Sequence, residues 1–253
     1  MFISAELFGT KHLMGLVVTL VVIAVMFLVS EKVFKKDTKL TLLVVLGLFY
    51  ILEILKIGYM WIDKGSFPMN HLPFHLCSLP LYLTPMVVFI KNEKVLKYVL
   101  PATVAGLMFG GTVAMLYPVN ILGDGSSFFP LSDNFIPLVS FVFHPLMIFT
   151  AIYLVFSGRY KMKFFTFING FPVIIGFMLI AMIANVIFDQ DFMLLNRGSG
   201  SPFQFLLETS QWLYVGSMIV LGLLGIAIFH SVVYGLAKVT KIDDKEEYAY
   251  SDK

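Results

Sequence analysis

Seven apolar stretches, each about as long as a lipid bilayer is thick, limit most strongly how this chain can fold. They cover residues 13–30, 40–60, 74–90, 97–117, 135–156, 164–188 and 211–237. A membrane-crossing helix needs roughly 20 mostly apolar residues. The chain is 58% hydrophobic and 13% charged, which is about half the charge of a typical soluble domain. The sequence therefore predicts an all-α, polytopic bundle of seven transmembrane helices.

Basic residues are divided unevenly between the two sides that seven spans would create. Fourteen of the 18 Lys and Arg residues fall in alternate connections or in the tail, at 32–39, 91–97, 159–163 and 238–253. The other connections hold only Lys11, Lys64 and Arg197. Because the cytoplasmic loops of membrane proteins carry the excess of Lys and Arg, the N-terminus is predicted to lie outside and the C-terminus in the cytoplasm.

The connections between the apolar stretches are too short to form a second folded domain. We expect one transmembrane domain over residues 1–238 and a charged cytoplasmic tail over residues 239–253. The tail's composition is typical of disorder. These features predict a multi-pass protein of the cell membrane.

Small residues recur at every fourth position of the fourth apolar stretch. They are Ala102, Gly106, Gly110 and Ala114. Such a stripe lies on one face of a helix and lets a neighbouring helix approach closely. We expect it to serve packing.

Polar side chains inside the apolar stretches are concentrated at one depth. At about 1.5 Å per helical residue, the outer half of the predicted bundle receives Glu53, Lys56, His75, Cys77, His144, Asn185, Gln211 and Trp212. The inner half is predicted to be nearly pure Leu, Val, Ile and Phe. Because ionisable groups inside a span are unfavourable unless they pair or face a cavity, this level is the predicted functional site.

Several of these residues also have a purely structural interpretation. Glu53 and Lys56 are three apart, so on a helix they can pair with each other instead of holding a headgroup. Asn185 is suited to capping a loop. Trp212 is suited to anchoring the seventh helix at the membrane interface. His144 alone would be read as a hydrogen-bonded core histidine.

The segment NHLPFHLCSLP at 70–80 contains the chain's single cysteine, which excludes an intrachain disulfide. Pro73 suits the first turn of a helix, so the third span is predicted to begin there, with Cys77 just beyond its first turn. Pro80 lacks the amide hydrogen that would bond to the carbonyl of Leu76. That carbonyl is therefore predicted to be unpaired.

A base that activates Cys77 is predicted to come from another helix. His75 is two residues away, which on a regular helix points it about 200° from Cys77. His144 is at the same depth, and a cysteine with a histidine is the usual activated-nucleophile arrangement. A metal site of His71 and His75 with Cys77 or His144 is an alternative, although Pro73 interrupts the helical spacing of the two histidines. An inert cysteine packed as a small hydrophobe is another.

Three segments resemble the bacterial YwaF-like integral membrane proteins, which are related to animal transmembrane protein 164. They are LPFHLCSL at 72–79, FVFHPL at 141–146 and NVIFDQDFMLLNRGSGSPF to SQWLYVG at 185–216. The resemblance implies a lipid acyltransferase that acts through a cysteine and a histidine. By position it matches His75 and Cys77 to the core motif, His144 to the later histidine and Asn185 to the asparagine before the second long outer loop. Ser78 stands where the resemblance leads us to expect an acidic residue.

These observations predict a membrane-embedded lipid-modifying enzyme, an acyltransferase or a lipase-like enzyme, with its site in the outer half of the bilayer. Cys77 is the predicted nucleophile, with His144 and His75 as the other catalytic residues. The predicted substrate-binding residues are Glu53, Lys56, Asn185, Gln211 and Trp212. The expected partner is a membrane phospholipid. No cofactor, metal or nucleic acid is expected, and the oligomeric state stays open.

The alternative function is an outward-facing binding protein or transporter for a small molecule or a lipid. The same polar residues would then line a cavity open to the outside. Intramembrane charges are characteristic of transport, whereas the predicted apolar inner half favours a one-sided site.

Overall fold

The computed structural model describes residues 7–118, 121–122, 128–130, 133–198 and 203–240. These residues form an all-α fold, as predicted, with seven α-helices and no strand among them. The helices are α1 (Thr10–Lys32), α2 (Thr38–Lys64), α3 (Leu79–Phe89), α4 (Glu93–Leu116), α5 (Phe135–Phe156), α6 (Phe167–Phe188) and α7 (Gln211–Val239). The predicted tail lies almost wholly outside the described residues.

Six of the described helices are long and apolar enough to cross a membrane. The exception is α3, which has 11 residues. With the 3₁₀ turn Leu76–Ser78 before it, α3 forms a shorter apolar segment over 76–89. Apart from the start of α3, the observed helix ends lie within a few residues of the predicted ones. The chain is thus a membrane protein with several apolar helices.

The start of α3 differs from the prediction: the helix was expected to begin at Pro73 and does not. A 3₁₀ turn forms over Leu76–Ser78, and the α-helix starts at Leu79 with Pro80 in its first turn. The carbonyl of Leu76 accepts a hydrogen bond from the N–H of Leu79, so the prediction of an unpaired carbonyl was wrong too. A helix that began at Pro73 would have Pro80 in its interior, where its ring clashes with the preceding turn. The first turn of a helix tolerates proline.

Helix α4 lies at the centre of the bundle, and its small residues permit close packing. A methyl group built on Gly170 of α6 would come 2.7 Å from the backbone nitrogen of Ala102. On Gly106 it would come 2.9 Å from the side chain of Leu79 in α3. The predicted packing role of the stripe is confirmed at these positions.

The bundle has two chemically distinct ends. We call the end that holds Cys77 and the segment 189–198 the Cys77 end, and the end where α5 and α7 finish the opposite end. The half toward the opposite end was predicted to be nearly purely apolar, and this prediction was wrong. There Thr41 lies 3.2 Å from the hydroxyls of both Ser30 and Tyr153, and His230 is fully buried. These polar groups are tolerated because most of them are paired across helices.

Candidate functional site

Cys77 lies in the 3₁₀ turn directly before α3. It is a free thiol, half-buried and packed against the hydrophobic core. The turn rests on α4, where a methyl group built on Gly110 would come 3.8 Å from the carbonyl oxygen of Leu76. The glycine thus leaves room for the backbone beside Cys77 to lie close to α4.

His144 lies in the middle of α5. It faces Gly111, the glycine that follows Gly110 in α4. A methyl group on Gly111 would come 2.9 Å from the carbonyl oxygen of His144. Neighbouring glycines of α4 therefore contact the turn that holds Cys77 and the turn that holds His144. The structure brings these two residues to one level of the bundle.

The hydrogen bonding of His144 fixes which ring nitrogen is available. Its Nδ1 is 2.9 Å from the carbonyl oxygen of Ser140. Because a carbonyl can only accept, Nδ1 carries the hydrogen and Nε2 holds a lone pair. Within the described part of the chain Nε2 has no hydrogen-bond partner. The side chain is 6% exposed, so this is a buried imidazole with a free acceptor.

Glu53 and Lys56 pair with each other, but the pair is incomplete. The Nζ of Lys56 donates to Oε2 of Glu53 over 2.7 Å, and Glu53 is 7% exposed. The other carboxylate oxygen, Oε1, is buried and has no hydrogen-bond partner among the described residues. A buried acceptor without a donor is unfavourable. The structural interpretation therefore explains one oxygen of Glu53 and leaves the other available to a ligand.

The ammonium group of Lys56 acts electrostatically on the titratable side chains at this end. It interacts electrostatically with four of them, His71, His75, Cys77 and His144. The charge of Lys56 thus acts both on the loop before α3 and on helix α5. We call the set of Glu53, Lys56, Cys77 and His144 the Cys77 site.

His75 serves a different contact. Its Nε2 is 3.0 Å from the carbonyl oxygen of Asn70 and therefore donates, while its Nδ1 accepts the N–H of Met193 over 3.4 Å. Burial lowers the pKa of His75, and the bond to Asn70 opposes that effect. Both ring nitrogens are engaged with backbone. His75 thus links the loop before Cys77 to the segment 189–198.

Asn185 and Gln211 also hold the segment 189–198. The side-chain amide of Asn185 accepts the N–H of Phe192 and donates to its carbonyl oxygen over 3.1 Å. Gln211 donates to the carbonyl of Asn196 over 2.8 Å. The segment needs such support because Met193 has a φ of 56°, a left-handed value that is unfavourable for a residue other than glycine.

Trp212 and His71 lie apart from these contacts. The indole of Trp212 is 78% exposed on the surface of the bundle, as an interfacial anchor would be. His71 ends a 3₁₀ turn, and burial lowers its pKa to about 4, with the charge of Lys56 acting in the same direction. Among the residues with described positions, no group of three His, Cys, Asp or Glu side chains is arranged to hold a metal ion.

The sequence analysis missed a second polar cluster at the Cys77 end. Lys11 is 4% exposed and donates to Asn134 over 2.6 Å. His12 is fully buried, with Nε2 2.8 Å from the carbonyl oxygen of Met115 and Nδ1 accepting the N–H of Phe8. The signal was a Lys-His pair at the start of an apolar stretch. Both ring nitrogens of His12 are used, which indicates a structural role.

Tyr82 was missed as well. Its hydroxyl donates to the carbonyl of Pro73 over 2.9 Å, and so ties α3 to the loop that leads into Cys77. A tyrosine inside an apolar stretch gives no sequence signal for such a contact.

Comparison with known proteins identifies the family. The family model described as the TMEM164 family matches residues 7–229. No curated protein and no solved structure matches the chain. The family match spans helices α1 to α6 and most of α7, and includes the whole Cys77 site. The chain therefore belongs to the TMEM164 family.

Proposed function

We propose that this protein is a membrane-embedded acyltransferase that moves an acyl chain from a phospholipid to a lysolipid through a thioester on Cys77. The observation that carries the proposal is the free Nε2 lone pair of buried His144, next to the glycine pair that also contacts the turn of Cys77. Covalent acyl transfer uses a nucleophile and a base, and close packing against α4 holds these two residues, which are on different elements, at one level.

In the first step the sulfur of Cys77 attacks the ester carbonyl of the donor phospholipid. Nε2 of His144 takes the thiol proton as the carbon–sulfur bond forms. The ester carbon–oxygen bond then breaks, and the imidazolium returns the proton to the departing lysolipid oxygen. The products are a thioester on Cys77 and a lysolipid, with His144 neutral again.

In the second step the hydroxyl of an acceptor lysolipid attacks the thioester. Nε2 of His144 takes the hydroxyl proton, the carbon–sulfur bond breaks, and the proton returns to the sulfur of Cys77. Exclusion of water from the half-buried site protects the thioester from hydrolysis. Without an acceptor, the same residues would perform a slower lipase-like reaction with water.

Glu53 and Lys56 are the proposed polar binding groups of this reaction. The ammonium of Lys56 offers positive charge to a lipid phosphate and to the oxyanion that develops at the attacked carbonyl. Oε1 of Glu53 lacks a donor, and a hydroxyl or N–H group of the bound lipid would supply one. His75, Asn185 and Gln211 act as positioning residues through the segment 189–198, and Trp212 anchors α7 at the interface.

The placement in the membrane follows from the charge distribution. We propose seven crossings, with the N-terminus outside, the charged tail of 239–253 in the cytoplasm and the Cys77 site in the outer half of the cell membrane. Residues 76–89 span about 21 Å as a helix, less than the roughly 30 Å of the hydrocarbon core. Local thinning of the bilayer accommodates such a short span. Within the family we place the chain in the YwaF-like bacterial branch.

The decisive experiment is to trap the thioester. Purified protein is incubated with a phospholipid that has a labelled acyl chain, and the label is located by mass spectrometry and tested for release by neutral hydroxylamine. Because the chain has a single cysteine, a hydroxylamine-sensitive label should map to Cys77. Cys77→Ala should remove both the label and the transfer of acyl chains to lysolipid while keeping the unfolding temperature of the wild type. Full lipid remodelling by Cys77→Ala would refute the proposal.

The second candidate function is an outward-facing binding protein or transporter. The unpartnered Oε1 of Glu53 favours it, since that atom calls for a bound donor and not for a reaction. Uptake of a lipid or small molecule into proteoliposomes that survives Cys77→Ala and is lost in Glu53→Gln would support this alternative.

A further inference from the structure

An apolar groove is lined by two residues that flank the turn of Cys77, Phe74 and Leu79. It lies between α3 and α6 and has a volume of about 290 Å³. Phe74 and Leu79, on either side of the 3₁₀ turn, form one end of its α3 wall, and Tyr82 and Leu83 continue that wall. The one side-chain polar atom of this wall, the hydroxyl of Tyr82, is already bonded to the carbonyl of Pro73. The groove therefore offers hydrocarbon to an occupant.

The groove runs along α3 and α6 and opens toward the surrounding lipid. On α6 its lining residues extend from Pro172 to Ile180, a distance of about 12 Å at the rise of an α-helix. Ile180 is half-exposed on the outside of the bundle. A hydrocarbon chain can thus enter between α3 and α6 from the bilayer without passing through water.

Gly176 leaves space in this groove that helix packing does not require. A methyl group built on Gly176 would meet no atom within 4 Å, whereas on Gly170 of the same helix it would come 2.7 Å from the backbone of α4. Glycine in a helix interior is less favourable than alanine. The missing side chain at 176 therefore serves no close helix contact and enlarges the groove.

We propose that the α3–α6 groove holds the acyl chain of the donor phospholipid while its carbonyl is attached to Cys77, and that Gly176 sets the bulk and length of the chain it accepts. The inference rests on the proposed thioester chemistry and adds its specificity. The occupant is an unbranched hydrocarbon chain, because the lining is apolar and the groove is extended along the helices. Because lipid tails are as apolar as the groove lining, the space in the groove and its packing contacts decide which chains fit.

The test compares Gly176→Leu with a matched control. Gly47→Leu places the same side chain at a half-buried glycine in the middle of α2, where a methyl group would also meet no atom within 4 Å. Thioester formation on Cys77 is measured in single turnovers with short-chain and long-chain donors. We expect Gly176→Leu to lose about 10-fold with long-chain donors, because the added side chain fills the space that such a chain needs, and to keep its rate with short-chain donors. Gly47→Leu should match the wild type with both.

A binding measurement separates failure of this inference from failure of the proposed function. A phospholipid with a photoreactive acyl chain is crosslinked to Cys77→Ala protein, which cannot form a thioester. We expect crosslinks at Tyr82 and Phe177 that Gly176→Leu reduces. Crosslinks there without any acylation of Cys77 in the wild type would remove the enzyme function and keep the chain-binding groove. Acylation of Cys77 with an unchanged chain preference in Gly176→Leu, and crosslinks elsewhere, would overturn the groove.

Discussion

Two buried helical histidines, His144 of α5 and His230 of α7, look alike by their own hydrogen bonds. Each uses one ring nitrogen, Nδ1 of His144 with the carbonyl of Ser140 and Nε2 of His230 with the hydroxyl of Thr166 over 3.3 Å. Each leaves its other nitrogen without a partner among the described residues. Burial and a free nitrogen therefore do not distinguish a catalytic histidine from a structural one.

Their neighbours do distinguish them. His144 lies within the field of the Lys56 charge and shares the contacts of Gly110 and Gly111 with the turn of Cys77. His230 lies against the ring of Phe167 and next to a hydroxyl whose own proton goes to a backbone carbonyl. His144 shares a level of the bundle with the turn of Cys77 and is reached by the Lys56 charge, whereas His230 has hydroxyl and aromatic neighbours. The proposed catalytic role of His144 therefore depends on the combination of groups at its end of the bundle.

The same substitution at both histidines tests whether they contribute differently to acyl transfer. His144→Asn removes the proposed base and should slow acyl transfer by about 10²- to 10⁴-fold, the usual contribution of general base catalysis. His230→Asn should change the rate by less than about 3-fold. Rates of label transfer between lipids, measured on samples with matched unfolding temperatures, test both. Equal losses would show that His144 has no special role.

The ion pairs at the two ends should differ in how much they contribute to the free energy of unfolding. Glu53→Gln leaves the ammonium of Lys56 without its buried partner and should lower the free energy of unfolding by about 3 kcal/mol. The pair Lys36 and Glu31, toward the opposite end, is exposed and 3.9 Å apart. Glu31→Gln should cost less than about 1 kcal/mol. Denaturant unfolding in detergent measures both, and a neutral Glu53→Gln would mean that Lys56 is well solvated.

Acid should lower the stability of the protein in part through His71. Burial lowers the pKa of His71 from 6.5 to about 4, so between these values the unfolded chain binds more protons than the folded one. Stability should therefore fall as the pH drops through that window and be independent of this group above it. At the opposite end burial raises the pKa of Tyr160 to about 12, outside that window.

The measurement is the unfolding temperature as a function of pH for wild type and His71→Gln. His71→Gln should flatten the acid side of the curve. Tyr160→Phe should leave the acid side unchanged. A curve that keeps its full slope in His71→Gln would assign the acid sensitivity to another group.

The helix positions and the level of the site could be predicted from the sequence. Apolar stretches long enough to span a membrane indicate the helices. Counting residues from their ends placed Cys77 and His144 at one level. That counting works because the rise of a helix is constant. It needs no knowledge of which helices are neighbours.

The parts that depend on neighbours could not be predicted. Pro73 and Pro80 are both suited to starting a helix, and the choice depends on how Leu76 packs against Gly110 of another helix. The direction of the His75 ring depends on the segment 189–198, which lies more than a hundred residues away. The α3–α6 groove is lined by apolar residues, so it leaves no polar signal in the sequence.

The smallest expected change comes from removing one tyrosine hydroxyl at each end. Tyr82 donates to Pro73 over 2.9 Å, and Tyr160 donates to Thr166 over 2.6 Å. Replacing either by phenylalanine should cost about 1 kcal/mol of stability, the net value of one hydrogen bond. Only Tyr82→Phe should also slow acyl transfer several-fold, because the carbonyl of Pro73 belongs to the loop that positions Cys77. If both variants kept the full rate at similar losses of stability, the loop before Cys77 would be held by His75 alone, and His75→Gln would then show the missing effect on the rate.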